Sequence, residues 1–145
     1  MIALIQRVSS GRVEVNKQSI ANIGRGIVAL VAVQASDSSE TVDRLLKRVL
    51  NYRIFPDEAG KMNLSLVDVK GGLILVPQFT LLADTKKGNR PSFSRNVPEE
   101  IGKKYFAELI ELAKQNYPHV EHGQFGEDMQ VSLTNDGPVT FWIEV

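Results

Sequence analysis

A strand-rich α/β fold is predicted for this chain by three observations. Six short segments are rich in β-branched and aromatic residues, two stretches carry apolar residues at helical spacing, and Gly, Asn, Asp or Pro separates them. Helices with one apolar stripe must cover a sheet face, so the pattern implies layered sheets, largely antiparallel or mixed, with two main helices on them. At 145 residues, with 43% hydrophobic side chains and neither an internal repeat nor a low-complexity tract, the chain reads as one domain, residues 1–145, with a real core.

The elements follow in order. "MIALIQRVS", "RVEV" and "GIVALVAV" read as the first three strands. "GRGIVA" has the letters of a dinucleotide fingerprint, but a strand follows it where that motif opens a helix. Asp37-Ser38-Ser39-Glu40 then offers an N-cap carboxylate with a Glu three residues on. Val42, Leu45, Leu46, Val49 and Leu50 recur at helical spacing after it, predicting a helix that ends near Tyr52. "GLILVPQFTLL" reads as a very apolar strand with Gln78 and Thr80 inside it, where a buried polar group is costly unless hydrogen-bonded. A second helix opens at Pro98, places Glu99 and Glu100 at the positive end of its dipole, and stops before Pro118. Its apolar face is read as Ile101, Tyr105, Leu109 and Leu112. "DMQVSLT" and "VTFWIEV" close the set; Asp136-Gly137 between them is a two-residue hairpin signal, followed by a strand that begins with Pro138.

Composition excludes several function classes. With no cysteine there is no disulfide framework, thiol nucleophile or thiolate metal site. There is no Gly-x-Ser-x-Gly elbow and no phosphate-binding loop ending in Lys-Ser or Lys-Thr. "HVEH" sets His119 and His122 beside Glu121 between Pro118 and Gly123, and reads as a solvated loop, so neither metal nor cofactor is expected. The longest apolar run, residues 26–33, is too short to span a bilayer, and no basic region with an apolar signal segment follows Met1. A cytoplasmic protein without membrane attachment is the expectation. Seventeen basic residues balance 17 acidic ones, so any polyanion must be met by a local patch. The best patch is "DTKKGNRPSFSR", where Lys86, Lys87, Arg90 and Arg95 face only Asp84 in an irregular loop; it is either a solvated charged loop or a phosphate-contacting one.

Two stretches, "PQFTLLADT" and "TNDGPVT", bring the chain into a known pattern. With "MIALIQRVS", "NYRIF", "KMNL", "RPSFS" and "DMQVSLTNDGPVTFW" around them, the sequence resembles the bacterial D-aminoacyl-tRNA deacylases, formerly D-tyrosyl-tRNA deacylases, over essentially its whole length. One family signature, Asn-x-Gly-Pro-x-Thr, is matched by Asn135, Gly137, Pro138 and Thr140; the other, Ser-Gln-Phe-Thr-Leu, by Gln78, Phe79, Thr80 and Leu81.

The resemblance implies hydrolysis of the ester joining a D-amino acid, and in some members glycine, to the terminal ribose of tRNA. It implies a homodimer in which Gly137-Pro138, held as a cis peptide, reaches into the partner's pocket and excludes L-residues there. Backbone N–H groups of Phe79 and Thr80 are implied to stabilise the oxyanion, the tRNA 2′-hydroxyl to assist attack, and Gln78 and Phe79 to position the terminal adenosine and the ester. Arg7 matches the arginine that braces the Gly-Pro loop, with Asn135 in a supporting place. Lys86, Lys87 and Arg90 become candidate phosphate contacts. Pro77 stands where the family has serine and supplies neither hydroxyl nor N–H. A related branch, the animal-type deacylases acting on mischarged L-alanyl-tRNA, has proline there but alanine at the position of Phe79. A non-catalytic RNA-binding dimer and an esterase for small amino esters complete the alternatives.

Overall fold

The structure, a computed structural model, describes residues 1–94 and 97–145. A mixed sheet organises it. Strand β1 (Ile2–Val15) lies between β8 (Gln130–Glu144) on one side and, on the other, first β3 (Gly26–Ala32) and then β2 (Gln18–Ile23), all antiparallel to it. Beyond β3 come β6 (Gly72–Pro77) and β7 (Val120–His122), both added in parallel. A separate ribbon of β4 (Phe55–Pro56) and β5 (Met62–Leu64) precedes the one-turn helix α2 (Leu66–Val69). That turn is closed by Ser65, whose N–H and hydroxyl both donate to Asp68 and hold its carboxyl below the usual range.

Alternation along the strands divides the interior. Ala3, Ile5, Ile27, Ala29, Val31, Leu73 and Leu75 face the helices α1 (Ser39–Asn51) and α3 (Glu99–Asn116) and form the main core with Leu45, Leu46, Phe106 and Leu109. Val8, Val13, Ala21, Ile23, Val28, Ile74 and Val76 form a second core under β2, where the sheet curls toward a barrel. Gly11 permits that curl, because a Cβ there would stand 2.8 Å from Val28 Cγ2.

Several sequence expectations are corrected. The segments read as separate strands over residues 1–9 and 12–15 are one strand, β1. Strand β2 was not expected, since only Ala21 and Ile23 of its six residues are buried; it joins β1 through Asn16 and Lys17, whose φ angles of 51° and 65° make the tight turn. The hairpin expected at Asp136-Gly137 is absent, and β8 runs through it. The apolar strand ends at Pro77, and Phe79–Leu82 is a 3-10 turn. "HVEH" is largely β7 rather than a loop. Helix α1 is capped by Ser38 with Thr41; Asp37 instead turns inward to the Met1 ammonium, 2.5 Å away. Helix α3 buries Gly102, Phe106, Leu109 and Ala113, so its inner face is rotated from the expected one and Ile101 is exposed. Small residues made that face: Gly102 admits the Phe125 ring where a Cβ would meet it at 3.0 Å.

Candidate functional site

At the carboxyl end of β6 the chain leaves the sheet. Gln78 N–H still donates to the Val31 carbonyl (2.7 Å), and the 3-10 turn begins immediately after. The first bond of that turn runs from Leu81 N–H to Gln78 O (3.3 Å), so the N–H groups of Phe79 and Thr80 have no acceptor within it. The Gln78 side-chain amide donates to Thr80 Oγ1. Beside this turn lies a cleft of about 530 Å³ between the ends of β3 and β6 and the start of α3. Pro77, Gln78 and Phe79 form one wall; Phe106 and Phe125 make an apolar floor, and Glu99 and Glu127 bring carboxylates. The sequence reading missed Phe125, Gly126 and Glu127; the positive φ of Gly126 (82°) is the turn that returns this segment to the cleft, and a Gly after an aromatic was its only local signal.

The second motif interrupts β8. Gln6 pairs with Thr140 and Val8 with Asn135, so residues 136–139 stand opposite Arg7 alone and bulge from the ladder. Arg7 is nearly buried and grips the bulge: Nε donates to Asp136 O (3.0 Å) and lies 3.3 Å from Asp136 Oδ2, while Nη1 donates to Ile54 O (2.7 Å). Asn135 closes its base, accepting from Val139 N–H (2.6 Å) and donating to Thr140 Oγ1 (2.8 Å). Val139 sinks into the main core. Gly137 and Pro138 are left exposed at the tip, joined by a cis peptide bond. At Gly137, with φ of 142°, a Cβ would come within 2.6 Å of Val139 Cγ2, so only glycine fits.

The two motifs do not meet within one chain. Pro77 is level with Val31 and thus with Ala3, whereas the bulge is level with Arg7, four residues along β1. That offset is about 13 Å along the strands, with about three strand spacings of ~4.8 Å across. None of residues 135–140 lines the cleft.

The family profile described as D-Tyr-tRNA(Tyr) deacylase matches residues 4–144. The chain belongs to that family. D-aminoacyl-tRNA deacylases of Francisella tularensis are 52% identical to it, and those of Ectopseudomonas mendocina and Pseudomonas putida 54%, each over 145 residues and the full length of both chains. Among solved structures, one titled "c-Myc DNA Unwinding Element Binding Protein" is 35% identical, with a TM-score of 0.94 over 100% of this chain and 99% of that one. Another, titled as a probable eukaryotic D-amino acid tRNA deacylase, shares the fold with a TM-score of 0.86 at 16% identity, over 99% of this chain and 98% of that one. As a member of this family the chain is an ester hydrolase, a deacylase whose substrate is a charged tRNA.

The remaining predicted residues do not line the cleft. Lys86, Lys87 and Arg90 are exposed on a loop pinned at its base by two bonds between Asp84 and Ser92 (2.8 and 3.1 Å). Among the described residues no carboxylate lies within ion-pairing distance of them; Arg95 lies outside the described residues. His122 sits at the end of β7, its Nδ1 2.9 Å from Gly123 O and its Nε2 3.2 Å from Lys114 Nζ. No cluster of metal-binding side chains occurs among the described residues, and none of their helices is long and apolar enough to cross a membrane.

Proposed function

We propose that the chain forms one deacylase domain over residues 1–145 and acts as a homodimer. In this arrangement the Gly137-Pro138 tip of one copy closes the cleft beside Phe79 of the other. The observation that carries this reading is the separation of the two motifs: each is exposed, each is held firmly, and neither is complete alone. A second copy supplies what the first lacks. An apolar row on the sheet face away from the helices offers the contact, with Trp142 paired to Leu4 and Leu4 to half-buried Leu30; Trp142 remains 50% exposed.

In the proposed site the main chain of Gly137-Pro138 accepts from the substrate ammonium, and the free N–H groups of Phe79 and Thr80 receive the ester oxygen as charge develops on it. With both ends fixed, the Cα hydrogen of a D-residue faces the Gly-Pro wall, whereas an L-residue would drive its side chain into it. Selection works by exclusion, so glycyl-tRNA is also a substrate. Gln78 and Phe79 place the terminal adenosine, Asn135 and Arg7 hold the filter, and the tRNA 2′-hydroxyl assists the attacking water. Thr80 is not the nucleophile in this scheme: its hydroxyl bonds to the Gln78 amide, and no base is bonded to it among the described residues. Lys86, Lys87 and Arg90 contact tRNA phosphates, and the enzyme works in the cytoplasm, where charged tRNA is found.

A second reading rests on Pro77, whose ring packs against Gly123 with its Cδ 3.3 Å from where a Cβ would be. Proline there, as in the animal-type branch, favours mischarged L-alanyl-tRNA. Amino acid release from D-tyrosyl-, L-tyrosyl-, glycyl- and L-alanyl-tRNA(Thr) separates the two. Turnover of the D-ester and glycyl-tRNA with sparing of both L-esters is expected; hydrolysis of L-alanyl-tRNA(Thr) in preference to the D-ester would replace the filter proposed here.

A further inference from the structure

Phe79 and Phe93 are large apolar side chains left 56% and 39% exposed. Their ring centroids are 5.5 Å apart and their planes inclined at 54°, so each shelters only part of the other. Phe79 lines the cleft; Phe93 does not, but packs against Phe79. The residue before Phe93 is Ser92, whose paired bonds to Asp84 close the cationic loop. Phe93 thus stands against Phe79 and directly follows the closed base of the loop that carries Lys86, Lys87 and Arg90. Lys86 N–H donates to Asp84 Oδ1 (2.9 Å), which tightens the same turn, and Lys86 is itself exposed.

Resting on the reading of the cleft as the seat of the terminal aminoacyl-adenosine, we propose that Phe93 is a stacking residue for the unpaired nucleotide just upstream of it. The chemistry fits a single strand. Any base offers a π-face to an aromatic ring, and the phosphate joining it to its neighbour comes within reach of the adjacent cations. Phe79 and Phe93 would then present successive platforms from the cleft outward, with the cationic loop following the backbone. A duplex, whose bases are already stacked, could not use this ledge. The enzyme would thus read the single-stranded character of the substrate end, independently of its chirality filter.

The test compares two substrates, D-tyrosyl-tRNA and the D-tyrosyl ester of adenosine, which has no upstream nucleotide. For Phe93→Ala, KM for the tRNA should rise about tenfold and that for the ester less than twofold, with kcat held within about twofold in both. Phe93→Trp should restore the tRNA value, because a larger π-face stacks at least as well. Equal losses on both substrates would show that Phe93 merely props Phe79, and a dissociated dimer in sedimentation would show that it packs against the second copy; either overturns the proposal. If wild type left D-tyrosyl-tRNA intact, the parent reading would fail separately. Affinity for uncharged tRNA with and without its unpaired end would then decide Phe93: a preference for the intact end that Phe93→Ala abolishes supports the ledge, and an unchanged preference sinks it.

Discussion

Tyr117 stands where α3 gives way to β7, 7% exposed, with its hydroxyl 2.5 Å from the Gly71 carbonyl and 3.3 Å from that of Leu66. It ties the helix layer to the entry of β6, and burial pushes its phenol pKa up. Tyr117→Phe should cost about 1–2 kcal/mol at neutral pH, since the carbonyls lose a buried donor, and lower Tm by roughly 2–8 °C. The folded pKa lies above the unfolded value of about 10, so the unfolded chain loses its proton first. The stability advantage of wild type over the variant is therefore full below that pH and shrinks as pH rises through it. Urea denaturation of both proteins at pH 7 and about 10.5 checks this. At the cleft, Thr80→Ala should keep turnover of D-tyrosyl-tRNA within about tenfold, because it leaves the Thr80 N–H in place; loss of about 10⁴ or more in single-turnover assays would make the hydroxyl a nucleophile after all. What a residue does here was partly legible. Gln78 and Thr80 stood out as polar groups in an apolar run, and they bond to each other; that they sit in a turn was not legible, since "FTLL" has every local preference of a strand.

Among elements, the bulge at 136–139 shows how a local signal can be sound and its structural reading wrong. Asp-Gly favours a tight turn, and the chain does turn there. Yet both flanks pair with β1, so the turn becomes a protrusion in one strand rather than a hairpin between two. Long-range pairing decided the outcome, and no window of the sequence contains it. Asn135→Ala removes the acceptor for Val139 N–H and the donor to Thr140; a stability loss of about 1–3 kcal/mol is expected, together with at least a tenfold fall in kcat/KM on D-tyrosyl-tRNA. Normal activity with lowered Tm would separate the bulge from catalysis. The cationic loop was legible as charge and irregularity, but not its pinning by Asp84 and Ser92. Replacing Lys86, Lys87 and Arg90 together by alanine should weaken tRNA affinity and lower the magnitude of its log–log salt slope by about 2, at roughly 0.7 per single-strand phosphate contact. An unchanged slope, read by titration between low and moderate salt, would make the loop merely solvated.

For the whole molecule, the fold class and both main helices could be read from patterning, because amphipathic stripes report directly on a sheet to cover. Strand order could not: β3, β6 and β7 are joined in parallel across long connections, and polar β2 folds over the second core with few buried residues of its own. The sheet face away from the helices, carrying Trp142, Leu4 and Leu30, belongs to this scale, since only an assembled sheet brings those side chains into one row. Trp142→Asp should yield monomers in sedimentation velocity and abolish deacylation while circular dichroism stays native; an active monomer would place a complete site in one chain.

The bulge has one more property, which concerns chain length. Phe141–Glu144 continue the ladder beyond it with Ile143 buried and Trp142 facing out. Because side chains alternate at every residue, removing one residue from 136–139 leaves two resolutions. Either the protrusion shortens by itself, or the strand end slips by one, driving Trp142 into the helix-side core and turning Ile143 toward solvent. The grip of Arg7 and Asn135 on the protrusion thus also sets the phase of the last strand, and inserting or deleting a residue here should be costlier than replacing the exposed side chain of Asp136.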